Sequence, residues 1–364
     1  MIRRILIAGI LFLSFLQFSN RAVCAPDTTK TTSTQAKYPS TAKVAADLKK
    51  LLDRPKVPFN AKFKVTRTDS AVIERGYFYS EKNEKVPVLI YKPAAKDGAF
   101  PAVIILHGTG GTKDNADIKD LLYRLTKRGM MGVAIDARFH GERVQGGAHG
   151  SKEYQQAIIR AWKNKDKNHQ THPFYFDTVY DLWRLTDYLV TRPDVQAKRI
   201  GMAGISMGGI ETWLAASVDK RIKVAVPDIA VQSLKWSLDN GRWEGRAGTI
   251  KDAHLQAAKD LGDTAINKRN IDALWHKVIP GITGEFDCPS MLRLFAPRPL
   301  LILNTEKDPN NPLPGARIAF GSATAAYKAM NALPRLKIDV APNQGHRATP
   351  EHMQMMINWF GEWL

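Results

Sequence analysis

The chain has 364 residues, 44% of them apolar and 24% charged, which is the composition of a folded globular protein and excludes a disordered or fibrous one. Lys and Arg (53) outnumber Asp and Glu (35), giving a formal charge of +18. The basic residues are scattered, and no helix-turn-helix, zinc-finger or ribonucleoprotein-type motif accompanies them, which argues against nucleic-acid recognition. Cys24 and Cys288 are too few for a disulfide-built scaffold.

Arg3 and Arg4 precede an apolar run over residues 5–18, and Val23-Cys24-Ala25 offers a small-residue cleavage site. Residues 1–25 therefore read as an export leader cut after Ala25, which places the mature protein in the periplasm or outside the cell. The apolar run is shorter than the roughly 20 residues a membrane-spanning helix needs, so no stable membrane insertion is expected after cleavage. The leader carries three arginines and no acids, so cleavage lowers the charge to +15 and leaves Cys288 without an intrachain partner. Such a field favours anionic partners, an acidic polysaccharide or cell surface among them, or is simply a solvated cationic surface.

Residues 26–43, rich in Thr, Ser and Lys, read as a flexible linker, with the folded domain over 44–364. From there β-branched runs alternate with amphipathic stretches. Strands are predicted at 86–91, 102–106, 132–135, 199–203, 222–226, 300–304 and 336–340, and helices at 177–190, 207–217, 322–332 and 350–363. This rhythm predicts an α/β fold with a mostly parallel, doubly wound sheet. One interval breaks it: residues 232–291 carry several tryptophans and no clear strand, and read as a largely helical insertion before the strand at 300–304.

Gly204-Ile205-Ser206-Met207-Gly208 lies between a predicted strand and a predicted helix, the setting of a nucleophile elbow. The turn pushes Ser206 out above the sheet, and glycines two residues either side avoid a collision of side chains with the neighbouring chain. Met207 opens the helix, where its amide and the helix field favour a developing negative charge. His107-Gly108-Thr109-Gly110-Gly111 follows another strand, and the Thr109 amide is the natural second oxyanion donor. A serine hydroxyl needs a base, and His346 follows the strand at 336–340. The acid should leave the strand at 300–304, where Asp308 is preferred and Glu306 competes.

The elbow, the His107–Gly111 loop and the order Ser206, Asp308, His346 together resemble the α/β-hydrolase fold. The group concerned includes dienelactone hydrolases, acetyl xylan esterases and the prolyl oligopeptidase catalytic domain, and the likeness covers residues 86–364. By position it implies Ser206 as nucleophile, Asp308 as acid, His346 as base, Thr109 and Met207 as oxyanion hole, and no metal or organic cofactor. Dienelactone hydrolases carry cysteine where this chain has Ser206, so their substrate is not carried over, and no propeller-sized region precedes the domain. The expected activity is hydrolysis of a carboxylic ester, a small molecule or an acetyl or other acyl ester on a polysaccharide. A serine peptidase or amidase and a non-catalytic binding protein on the same fold are the rivals. Arg138, His140 and Arg143 could bind an anionic substrate group or form an internal ion cluster with Asp136 or Glu142. Trp236, Trp243 and Trp275 could line a sugar or acyl pocket or pack the insertion. His172, His254 and His276 lack metal-ligand spacing. The oligomeric state is not legible.

Overall fold

The computed structural model describes residues 38–94, 98–145 and 151–364, so the predicted leader and most of the linker lie outside the described residues. In chain order the elements are α1 (Thr41–Leu51), β1 (Lys62–Arg67), β2 (Ala71–Glu81), β3 (Glu84–Pro93), β4 (Phe100–Leu106), α2 (Ala116–Lys127), β5 (Met131–Ile135), α3 (Ser151–Lys163), α4 (Phe176–Leu189), β6 (Val195–Ile205), α5 (Met207–Val218) and β7 (Ile222–Asp228). There follow α6 (Leu234–Asp239), α7 (Glu244–Gly248), α8 (Lys251–Asp260), α9 (Lys268–Val278), α10 (Cys288–Leu292), β8 (Leu300–Thr305), α11 (Leu313–Ala329), β9 (Leu336–Ala341) and α12 (Pro350–Trp363).

The sheet has nine strands in the order β1-β2-β3-β5-β4-β6-β7-β8-β9. Neighbours are antiparallel from β1 to β5 and parallel from β5 to β9. The fold is the expected mostly parallel α/β sheet, and its central strands show why. Every residue of β4 is buried, with Ala102 and Ile104 in one apolar core and Val103 and Ile105 in another. A strand covered on both faces loses the polar alternation of a half-exposed one. Leu121, Leu122 and Leu125 of α2 and Met356, Ile357 and Phe360 of α12 fill one core; α1, α4, α5 and α11 contribute to the other. Each such side chain contributes about 1.5–3 kcal/mol on full burial.

The predicted linker runs too far, because helix begins at Thr41. Ser40 Oγ accepts the Lys43 amide at 3.2 Å as an N-cap, and Val44 and Leu48 are buried. Strands β1 and β2 went unpredicted. Strand β1 is mostly exposed and interleaves Lys62, Lys64 and Arg67 with Phe63 and Val65, as suits a charged sheet edge. Helix α11 starts nine residues before the predicted 322, with Pro314 in its first turn. The interval after β7 holds the short helices α6 to α10 and, among the described residues, no strand. Cys288 heads α10 with no exposed surface. Among the described residues no helix is long and apolar enough to cross a membrane, and no His, Cys, Asp and Glu cluster could hold a metal.

Candidate active site

Three loops at the same end of the parallel strands β6, β8 and β9 converge. Ser206 follows β6 at φ 55°, ψ −110° and caps α5. That backbone conformation is sparsely populated for a residue with a side chain. The chain tolerates it because the turn is tight: a Cβ on Gly204 would stand 2.3 Å from the Gly208 backbone, and one on Gly208 2.6 Å from Leu106. The Ser206 amide donates to the Asp228 carbonyl at 2.9 Å, tying the elbow to the end of β7.

Ser206 Oγ lies 2.8 Å from His346 Nε2, and His346 Nδ1 lies 2.8 Å from Asp308 Oδ2. Ser206 keeps 8% of its surface exposed and the His346 side chain 21%, while the Asp308 carboxylate is fully covered. Asp308 Oδ1 accepts the Asn310 and Asn311 amides at 2.7 and 3.1 Å, and Oδ2 also accepts Asn311 Nδ2 at 2.8 Å. Burial works to raise this carboxyl, but the bonds from His346, Asn311 and Asn310 outweigh it and hold it below its ordinary value. The acid is ionised and aimed at the imidazole.

The competing acid has other employment. Glu306 Oε2 accepts the Asn343 amide at 2.8 Å, and the Glu306 and Lys307 amides donate to Ala341 and Gln344. Glu306 thereby staples the loop after β8 to the loop carrying His346.

The loop after β4 passes against Ser206: a Cβ on Gly108 would stand 3.6 Å from Ser206 Cβ. Thr109 is half-buried in this turn, closed by the Gly111 amide on the Gly108 carbonyl at 3.0 Å. Met207 is fully buried at the head of α5. Met207 thus follows Ser206 directly, and Thr109 follows the glycine that passes against it. His107 anchors this loop. The Ala137 amide donates to its Nε2 at 3.1 Å, so Nδ1, 2.8 Å from the Gly108 carbonyl, carries the proton. Burial pushes the imidazole down to about 4, so it stays neutral.

Arg138 and His140 are both engaged inside the protein. Arg138 grips Asp181 through two bonds of 2.7 and 2.8 Å and also pairs with Glu81, while Arg143 joins Asp181 at 2.6 Å and Glu84 at 2.8 Å. The bidentate grip on a buried carboxylate consumes the guanidinium. Asp136 instead holds Lys113, at 3.0 Å, below the Thr109 loop. His140 has no exposed surface and lies between the rings of His107 and Tyr154. Trp236 lies beside Gly315 of α11, Trp243 packs on the core at the start of α7, and Trp275 is buried against His254. Trp236 and Trp243 stay half-buried, and of the three only Trp275 is fully packed inside.

Sequence reasoning missed Asn311, Asp228 and His352. Asn311 could have been found as the Asn three residues after the acid, a spacing that lets an amide turn back on a carboxylate. His352 Nδ1 meets Asp228 Oδ1 at 2.9 Å behind the elbow. No motif marks this pair.

The acetyl xylan esterase family (AXE1) matches residues 48–233, just over half of the chain and including both the Thr109 loop and the elbow. YtaP of Bacillus subtilis (strain 168), which bears a hydrolase name, is 26% identical over 294 residues, 78% of this chain and 85% of that protein. Among solved structures, acetyl xylan esterases from Paenibacillus sp. R4 and Thermoanaerobacterium sp. JW/SL YS485 each superpose with a TM-score of 0.64. The first is 20% identical and covers 93% of this chain and 97% of that one; the second is 16% identical and covers 90% and 96%. A glucuronoyl esterase from Solibacter usitatus follows at a TM-score of 0.58 and 15% identity, covering 89% and 92%. At those identities the superpositions speak for the fold. The chain is a serine carboxylic ester hydrolase of the α/β-hydrolase fold and belongs to the acetyl xylan esterase (AXE1) family.

Proposed function

We propose that the protein removes acyl groups from a polysaccharide or its fragments outside the cytoplasm, with Ser206, His346 and Asp308 as its catalytic triad. The observation that carries this reading is the unbroken line of 2.8 Å contacts from Ser206 Oγ through His346 to Asp308. Ser206 attacks the ester carbonyl while His346 Nε2 takes its proton. The Thr109 and Met207 amides receive the oxyanion, each such donor being worth about 10²–10³ in rate. His346 protonates the departing alcohol, leaving an acyl-serine. Water then repeats the sequence, giving its proton to His346 and its oxygen to the acyl carbon, and Ser206 is regenerated. Asp308 stays ionised throughout and steadies the imidazolium.

Support for an acylated sugar comes from the family and from relatives named as acetyl xylan and glucuronoyl esterases. The basic balance of the chain suits an acidic polysaccharide. The arginines and apolar run of residues 1–25 support export. The test is acetate release from acetylated xylan beside hydrolysis of 4-nitrophenyl esters of rising acyl length and a peptide anilide, for wild type and Ser206→Ala. Release of acetate and cleavage of short esters, lost by about 10⁶-fold in the variant, is expected. Cleavage of the anilide alone would return the protein to the peptidases.

A further inference from the structure

A guanidinium from the helical insertion reaches the asparagine that bonds Asp308. Arg246 of α7 is 1% exposed and, among the described residues, forms no ion pair with a carboxylate. Its Nη2 donates to Asn311 Oδ1 at 2.8 Å and reaches the Asn310 carbonyl at 3.3 Å. Asn311 is itself fully buried. Its Nδ2 gives one hydrogen to the Ile229 carbonyl at 2.6 Å and the other to Asp308 Oδ2 at 2.8 Å. An amide so placed has one workable orientation: turned over, its oxygen would face a carboxylate and a carbonyl, and its NH₂ would face a cation.

The insertion closes on the acid loop at other points as well. Gln232 Nε2 donates to the Asn310 carbonyl at 2.5 Å. A Cβ on Gly245, the residue before Arg246, would stand 2.3 Å from the Pro309 carbonyl oxygen, so α7 can approach this loop only through glycine. The guanidinium is thus delivered to the loop by backbone-to-backbone packing rather than by a flexible surface reach.

We infer that Arg246 is a positioning residue for hydrolysis: by holding Asn311 in its donating orientation it aims Asp308 at His346. This rests on the triad reading above. The line runs Arg246, Asn311, Asp308, His346, Ser206, and it makes the insertion part of the catalytic scaffold as well as a cover for the sheet.

The test is Arg246→Met, Asn311→Ala and the double variant, measured on 4-nitrophenyl acetate with active sites titrated by an organophosphonate that labels Ser206. The proton between His346 and Asp308 is followed as a low-field NMR resonance. Expected are a tenfold or greater fall in kcat with KM within twofold, loss or displacement of the resonance, and no further loss in the double variant than in Asn311→Ala. Arg246→Lys, which keeps a donor, should recover part of the rate and the resonance. A folded Arg246→Met with wild-type kcat and resonance, or losses that add in the double variant, would overturn the inference. If Arg246→Met does not fold, Asn311→Asp decides: it keeps a partner for Arg246 but sets an acceptor against Asp308. A tenfold loss at an unchanged melting temperature supports the relay, and wild-type turnover ends it. Activity surviving in Ser206→Ala would instead remove the triad reading itself.

Discussion

His352 Nδ1 stands 2.9 Å from Asp228 Oδ1, both side chains essentially out of solvent, and the carbonyl of that same aspartate takes the Ser206 amide. Helix α12 therefore reaches the elbow through an ion pair. Burial opposes charge on His352, but its bonds to Asp228 and Asp339 and their fields outweigh this and raise the imidazole to about 9. Its folded value lies above its unfolded one, so its contribution to stability is fully present below pH 6.5 and is lost as pH rises through about 9. We expect urea denaturation to show an alkaline decline over that window that is absent in His352→Leu. That variant should be weaker at neutral pH by about 3–5 kcal/mol, because Asp228 is left buried without its partner.

The acid side is governed by other imidazoles. Burial lowers His107 and His254 to about 4 and His140 to about 3. Each is depressed below its unfolded value, so the unfolded chain binds the extra protons, and the stability these groups provide is present above pH 6.5 and drains away toward pH 4. Each withheld proton steepens the loss by about 1.4 kcal/mol per pH unit. Denaturation midpoints of His254→Gln should fall less steeply between pH 6.5 and 4.5 than those of wild type. An unchanged slope would mean that His254 is not held neutral.

Asp308→Asn keeps the volume but removes the charge that orients His346. Loss of about 10⁴-fold in kcat is expected, with the melting temperature changed far less than the rate. The corresponding change at Glu306, to Gln, should leave kcat within a few-fold, since Glu306 bonds the Asn343 amide and not the imidazole. Steady-state kinetics on one short ester measures both.

Arg138 offers a check on its internal role. Arg138→Met leaves the buried Asp181 with Arg143 and the Ser80 hydroxyl but without its bidentate partner. We expect a loss of several kcal/mol in stability, of the order found when one member of a buried pair is removed. KM for acetylated or uronic-acid-bearing substrates should stay within twofold. A selective rise in KM for acidic substrates would return Arg138 to the binding site.

The residues of the proposed triad announce themselves in the sequence because such chemistry would restrict them locally. Gly204 and Gly208 bracket Ser206 for a steric reason that holds within five residues, and His346 and Asp308 follow strand ends that β-branched runs make visible. Arg138 stayed open because an arginine after a strand looks the same whether it faces solvent or the buried Asp181 on α4. Asn311, Arg246 and the Asp228–His352 pair were out of reach because their partners are set by tertiary packing: Arg246 lies 65 residues from Asn311, and His352 lies 124 from Asp228. The edge strand β1 escaped for the opposite reason, since exposure there replaces the apolar pattern with charge, and β2, paired on both sides, is interrupted in mid-run by Glu74, Arg75 and Gly76.

The positive φ of Ser206 sets stability against turnover at one residue. For a side-chain-bearing residue that conformation costs on the order of 1 kcal/mol, a strain that glycine escapes. A chain no longer selected for hydrolysis would be free to drift to glycine at 206 and fold more firmly for it. The serine is therefore kept against the preference of the backbone, and the elbow is a place where the most stable sequence and the working one part company.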